Sequence, residues 1–167
     1  MAGEVRPAID YDSAAVIELI AGCFAEYPGC VLDLPGIDAW MLAPAASYDA
    51  PGAALWVAAV EGAVVACVGV KPAGQGEVEL KSLYVAAPAR RQGLGGRLIA
   101  LVESAAADQG AGRVALWTDT RFTDAHRLYE RHGYRRGPRT RELHDPSRTT
   151  EYHYTKSLVG PGVGVPG

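Results

Sequence analysis

The residues with the most chemical promise lie in one stretch, Arg90-Arg-Gln-Gly-Leu-Gly-Gly96, where an apolar, β-rich run gives way to helical spacing. Glycines there let the backbone pass close to a ligand, and the start of a helix leaves several N–H groups without intrahelical partners. Those N–H groups, the positive end of the helix dipole and the charges of Arg90 and Arg91 suit a phosphate or pyrophosphate. A plain tight turn is the other reading of the same residues. Two more specific phosphate loops do not fit. The GxGxxG fingerprint needs a third glycine at position 98, which is Leu98, and a P-loop needs a Gly-Lys-Ser/Thr that is missing here. Upstream, Glu77, Glu79 and Lys81 alternate along one strand face; downstream, His126 and Tyr129 stand one helical turn apart.

The rest of the composition narrows the class. The chain has 167 residues, 49% apolar and 21% charged, with a formal charge of −3, which is a globular composition for one domain. No long basic run occurs, so a nucleic-acid binder is not expected. Apolar stretches such as 53–60 are too short to span a membrane. The N-terminus lacks a basic segment followed by an apolar one, so export is not expected either. Cys23, Cys30 and Cys67 form no CxxC pair and no zinc-type cluster. The expectation is a cytoplasmic protein with no metal and neither nucleic-acid nor membrane partners.

The elements that must position these residues follow from periodicity. Glu4 to Ile9 reads as a short edge strand. Asp12 and Ser13 offer helix-capping oxygens, and Ile17, Ile20, Ala21 and Phe24 mark one face of a helix that Pro28-Gly29 ends. Residues 28–52 read as irregular, with a short helix at 37–42. Strands at 55–60 and 63–70 flank the two-residue turn Glu61-Gly62, and a turn at 72–76 leads into a strand at 77–85. A helix at 94–109, a strand at 113–118, a helix at 123–132 and strands near 134–136 and 151–157 complete the order. The helix at 123–132 carries Ala125, Leu128 and Tyr129 on one side, with His126 expected to face solvent. Trp117 and Asp119 share a strand face; Asp119 reads as a loop-capping carboxylate and Trp117 as core, with the lining of a substrate pocket as the alternative for both. The fold class is α/β (α+β), a mixed and mostly antiparallel sheet flanked by helices over residues 1–158, followed by a disordered Gly/Pro tail at 159–167.

Two segments carry a family resemblance. Glu79 to Leu98, with Arg90, Gly93 and Gly95 at the three defined positions of [Arg/Gln]-x-x-Gly-x-[Gly/Ala], resembles the acetyl-CoA signature of the GCN5-related N-acetyltransferases (GNAT). Leu128-Tyr129-Glu-Arg-His-Gly133-Tyr134 is similar to the family's second signature, Leu-Tyr-x-x-x-Gly-[Phe/Tyr]. The element order agrees from Val5 to about Ser157.

The resemblance implies transfer of an acetyl group from acetyl-CoA to a primary amine of a small molecule or peptide, by direct attack in a ternary complex. Leu83, Tyr84 and Val85 would meet the pantetheine arm, with the Leu83 N–H as oxyanion donor. Arg90, Arg91, Gln92, Gly93, Leu94, Gly95 and Gly96 would hold the pyrophosphate. Glu79 aligns with a catalytic glutamate of several relatives and would act as base through water, while a strand glutamate paired with Lys81 is the simpler reading; Glu77 is a weaker competitor. Tyr129 would protonate the departing sulfur. Where many relatives carry a cofactor-contacting asparagine this chain has Phe122, leaving Thr123 or the Arg121 guanidinium to supply that contact. Residues 28–52, with Tyr27, Asp33 and Trp40 in or beside them, fall where the family builds acceptor specificity. The family also admits a homodimer, which no sequence feature decides. A different class, an acetyl-CoA-binding sensor without turnover, would keep the glycine turn and lose Glu79 and Tyr129; both are present.

Overall fold

The computed structural model describes residues 3–158; the tail expected to be disordered, 159–167, lies outside the described residues. Seven strands form one sheet in the order β1-β2-β3-β4-β5-β7-β6. They are β1 (Glu4–Pro7), β2 (Ala54–Val60), β3 (Ala63–Gly74), β4 (Glu77–Val85), β5 (Arg113–Asp119), β6 (Arg135–Glu142) and β7 (Thr150–Ser157). Three α-helices join them: α1 (Ser13–Phe24), α2 (Leu94–Asp108) and α3 (Thr123–Arg131). Every adjacent strand pair is antiparallel except β4–β5.

Local sequence explains most of these elements. Glu61 and Gly62 both take positive φ (51° and 81°), the geometry that lets a two-residue turn match the twist of β2 and β3. Gln75 and Gly76 repeat it between β3 and β4 (49° and 74°), so β3 runs four residues past its expected end. One face of the sheet carries Val70, Val78, Leu80, Val114 and Leu116 against Leu98, Ile99 and Val102 of α2 and Tyr129 of α3. The other face carries Leu55, Val57 and Cys67 against Val16, Leu19, Ile20 and Cys23 of α1. Between α1 and β2 the chain forms two short 3-10 turns, at Ala39–Leu42 and Ala46–Tyr48, where one helix at 37–42 was expected.

Several expectations are corrected. The buried face of α1 is Val16, Leu19, Ile20 and Cys23, offset by one residue from the expected stripe. This helix is apolar on most sides, so periodicity alone does not choose the face that the sheet selects. It ends at Phe24 because the following amides bond three residues back, as in Glu26 N–H to Cys23 C=O at 3.2 Å. Asp12 does not cap α1. Its carboxylate accepts from the Ile9 N–H and from both terminal nitrogens of Arg6 at 2.8 Å, holding β1 to the turn before the helix. Strand β6 is longer than expected, and β7 sits between it and β5.

The irregular segment is fastened to the sheet through Tyr48, which is 5% exposed and lies across Gly69 of β3. A Cβ at position 69 would stand 2.5–2.7 Å from the Tyr48 ring, and its hydroxyl shares a 3.3 Å hydrogen bond with Ser82. Gly69→Ala is therefore expected to lower stability by about 1–3 kcal/mol, the usual cost of overpacking a core. Urea unfolding measures it; an unchanged midpoint would mean that Tyr48 is free to move aside.

Candidate functional site

The site begins with a defect in the sheet. Strands β4 and β5 are paired only at Glu77↔Arg113, Val78↔Val114 and Glu79↔Ala115, after which they diverge. The far half of β4 is bent by an extra residue: Ser82 has φ 56°, and Ser82 and Leu83 have no register partner on β3. The opening is a cleft of about 340 Å³. Glu79, Leu83 and Tyr84 of β4, Trp117 and Asp119 of β5, Tyr129 of α3 and Glu151 of β7 line it. Trp40 and Asp38 enter from the irregular segment. Ser147 roofs it: its hydroxyl accepts from the Val31 N–H (2.9 Å) and donates to the Val31 C=O (3.0 Å), joining the loops before β2 and β7.

The glycine turn lies past the end of β4, outside the cleft's lining. Gly93 is the N-cap of α2 with φ 79°, a conformation that favours glycine. Among the described residues, none of the backbone N–H groups of 91–96 donates to a protein acceptor, while the Arg97 N–H closes the first helical bond on Gly93 C=O. Six amides thus remain available at a positive helix end, an arrangement that could hold a diphosphate. Gly95 and Gly96 have a further task. A Cβ on either would stand 2.8 Å from Leu128 or His132 of the α3 region, so the glycines also let α2 and α3 approach.

Arg90 is placed differently from the expectation that it adds charge to the turn. Its Nε donates to Val85 C=O at 2.9 Å, and its two terminal nitrogens grip Glu26 of α1 at 2.7 and 2.6 Å. Its charge is spent within the protein, and the Val85 carbonyl is already occupied. Gln92 folds back onto Pro88 C=O at 3.1 Å. Arg91, exposed and with φ 62°, is the arginine of this turn whose guanidinium has no partner among the described residues.

In the cleft, Tyr129 is 5% exposed. Its hydroxyl has no hydrogen-bond partner among the described residues, and no buried polar side-chain atom there is left unpaired, so the hydroxyl must reach the cleft. Burial pushes the phenol well above its ordinary value, which keeps it protonated. Glu79 pairs with Lys81 at 3.5 Å, as its position two residues away on one face allows. Phe122 packs against Phe24, Tyr27 and Tyr84 (centroids 6.2, 4.9 and 6.5 Å), an aromatic wall beside Tyr129. Arg121 is not free to replace a missing cofactor contact, because Asp119 takes its backbone N–H, Nε and Nη2 at 2.9, 3.0 and 2.8 Å. Asp119 thus caps its loop as expected.

Two residues behave otherwise than the sequence indicated. His126 is buried, bonds Asp119 C=O at 2.9 Å and stacks on Tyr154, and desolvation lowers its pKa. Trp117 is half-buried, with Arg141 4.4 Å and Arg139 5.2 Å over its ring. Glu151 was missed altogether. It neighbours Asp119 across β5–β7, a pairing that periodicity cannot supply. Among the described residues, no group of three or more His, Cys, Asp or Glu could hold a metal ion, and no helix is long and apolar enough to cross a membrane.

The sequence profile of the acetyltransferase (GNAT) family matches residues 15–134. The chain belongs to that family. Solved structures agree at the level of fold. A GNAT-family acetyltransferase from Staphylococcus aureus superposes with a TM-score of 0.81 at 18% identity, over 95% of this chain and 100% of that one. An N-acetyltransferase from Thermoplasma acidophilum, in complex with coenzyme A, gives 0.70 at 15% over 94% and 99%. A Salmonella typhimurium protein with its cofactor acetyl-CoA gives 0.70 at 16% over 98% of each chain. No protein with a curated description matches the sequence.

The Glu151 carboxyl gives this site a signature in stability. Desolvation raises its pKa above the ordinary 4.5, although Arg141 opposes the shift. The folded state therefore holds the proton more tightly than the unfolded chain, and ionisation with rising pH costs the fold something that glutamine would not lose. The melting temperature of Glu151→Gln relative to wild type is expected to become more favourable between about pH 4 and about pH 7. A difference constant over that range would refute the burial reading.

Proposed function

We propose that this GNAT-family protein transfers the acetyl group of acetyl-CoA to a primary amine of a small molecule or peptide, by direct attack in a ternary complex. The observation that carries the reading is the set of unbonded amides at 91–96, set just past the end of a strand whose last half opens into the cleft. In this reading the amides of Arg91 to Gly96 hold the diphosphate, with the exposed Arg91 guanidinium beside them. Leu83 and Tyr84 meet the pantetheine arm where β5 has left β4 unpaired, and the Leu83 N–H faces the developing oxyanion. Arg90 acts indirectly, by fastening the end of β4 to α1.

The chemistry needs a free amine, and an alkylamine near pKa ~10 is mostly charged at neutral pH. Glu79 removes that proton through a water. The nitrogen then attacks the thioester carbon, the C–S bond breaks as Tyr129 donates to the sulfur, and the proton that the nitrogen sheds on becoming an amide returns through water to the phenol. Its raised pKa means the phenol stays neutral and stabilises the thiolate first by a hydrogen bond; transfer follows as the sulfur, leaving beside the buried phenol, gains proton affinity. Cys30 also lines the cleft, but burial raises its thiol pKa and keeps it a poor nucleophile, which supports direct attack over an acyl-enzyme. Unpaired cysteines at 23, 30 and 67 fit a reducing compartment such as the cytoplasm.

Two variants test the roles. Tyr129→Phe should lower kcat by about 100-fold, the low end of what a positioned acid contributes, with acetyl-CoA affinity by calorimetry unchanged; an unaltered kcat removes Tyr129 from the reaction. Glu79→Gln should lower the rate near neutral pH and recover it in alkali, where the amine is already free, whereas a wild-type profile would leave Glu79 as a partner for Lys81. Acetyl-CoA binding without thiol release on any amine would favour the sensor.

A further inference from the structure

The register of the sheet places a second carboxylate closer to the reacting end of the cleft than Glu79. The parallel ladder ends at Glu79↔Ala115. Counted onward in step, with one residue allowed for the bulge, Leu83 and Tyr84 fall level with Thr118 and Asp119. Asp119 in turn faces Glu151 across β5–β7. Residues paired directly across strands, or two apart along one, share a face, so Glu79, Ala115, Asp119 and Glu151 all project to the same side. Glu79 sits four residues before Leu83, whereas Glu151 is level with Tyr84, the residue next to it.

The other carboxylate at that level is not free. Asp119 is held by three nitrogens of Arg121. Glu151 is held by only one: its Oε1 accepts from Arg141 Nε. Its Oε2 has no partner among the described residues, and with no buried polar atom unpaired there, that oxygen opens on the cleft. Arg141 lies over the Trp117 ring at 4.4 Å, so it fixes the carboxylate from one side and leaves the other side bare. Lys81 of β4 and Asp119 of β5 complete the charges felt by Glu151. The hydroxyl of Tyr129, unpartnered among the described residues and reaching the same space from an otherwise buried side chain, points independently to a ligand there.

We propose that Glu151 receives the ammonium group of the acceptor and holds it beside the thioester, so that the preferred acceptors are aliphatic amines, cationic in free solution. The proposal rests on the acetyltransferase reading and adds to it the charge of the acceptor. Arg141 is a positioning residue. The amine docks as R–NH3+ on Glu151 Oε2, one proton leaves through water to Glu79, the freed lone pair attacks the thioester carbon, the C–S bond breaks, and the nitrogen's second proton replaces the one that Tyr129 gives the sulfur. A half-desolvated carboxylate with one bare oxygen gains most from such a cation, because its lost hydration is restored by the charged donor.

The test compares nucleophiles of different charge, read by thiol release. Propylamine, putrescine and lysine methyl ester are cationic near neutral pH; hydroxylamine is uncharged. For Glu151→Gln the KM of the alkylamines should rise about 10- to 100-fold, as expected for loss of one hydrogen bond to a charged group. Their kcat, the rate with hydroxylamine and the Kd for acetyl-CoA should change less than about threefold, a loss confined to ground-state binding. Glu151→Asp, which keeps the charge, should retain an alkylamine KM nearer the wild type. An unchanged alkylamine KM overturns the proposal. So does an equal loss with hydroxylamine, which would mark Glu151 as structural support for Arg141, or a wild-type enzyme that turns over hydroxylamine and none of the alkylamines. Failure of the wild type to bind acetyl-CoA, or to release thiol with any nucleophile, would instead remove the acetyltransferase reading beneath it.

Discussion

A sheet that stops pairing in its middle is the constraint from which the rest of this structure follows. Unmade ladder bonds inside a protein are costly unless something else satisfies them, yet β4 and β5 abandon each other after three residue pairs. The neighbours hold the split open. On one side β3 keeps β4 in register up to the bulge, and Tyr48 bonds the Ser82 hydroxyl. On the other, β7 pairs with β5 over its whole length and supplies Glu151 at the open end. The aromatic group of Phe24, Tyr27, Tyr84 and Phe122 forms an apolar wall at the mouth. A ligand lying along β4 would find a strand edge in a dry, shaped groove, and a backbone edge recognises an extended chain without needing particular side chains.

The glycine turn divides its labour in a way that the motif alone conceals. Gly93 is present for its backbone conformation, while Gly95 and Gly96 make room for Leu128 and His132. A side chain at either of the latter would require the Leu128 or His132 side chain to shift. The second signature, Leu128 to Tyr134, is therefore packed against the first. Arg90 plays a comparable part through its fork on Glu26, which joins the end of β4 to α1 across the sheet's other face. Bidentate guanidinium–carboxylate pairs fix geometry better than point charges do. The conspicuous arginine of the turn is engaged by the protein, and the six amides have no partner among the described residues because they precede the first intrahelical bond.

Charge is sorted along the cleft. Asp119 is neutralised by Arg121, Glu79 by Lys81 and Glu151 by Arg141 through a single oxygen, while burial holds the Asp38 carboxyl above its ordinary range. Carboxylates on the walls and an unpaired hydroxyl from α3 meet where the strands part. Tyr48, its phenol pushed up to about 12 by burial, belongs to the packing that holds the irregular segment and not to this set.

Much of the fold could be read from the chain alone. The two-residue turn at Glu61-Gly62, the strand at 77–85 and the helix starts at Leu94 and Thr123 are local matters of φ preference and hydrophobic period, so residue types determine them, whereas the turn expected at 72–76 tightens to Gln75-Gly76. The two signatures located the amides of 91–96 and Tyr129 for the same reason: spacing along one element survives folding. Non-local pairings decided the remainder. The face that α1 buries, the insertion of β7 beside β5, the burial of His126, the capture of Arg90 by Glu26 and the arrival of Glu151 at the open end all join residues far apart in sequence. No periodicity encodes such meetings, because a side chain's partner depends on which strand lies next to its own, and that choice is made by the packing of the whole sheet.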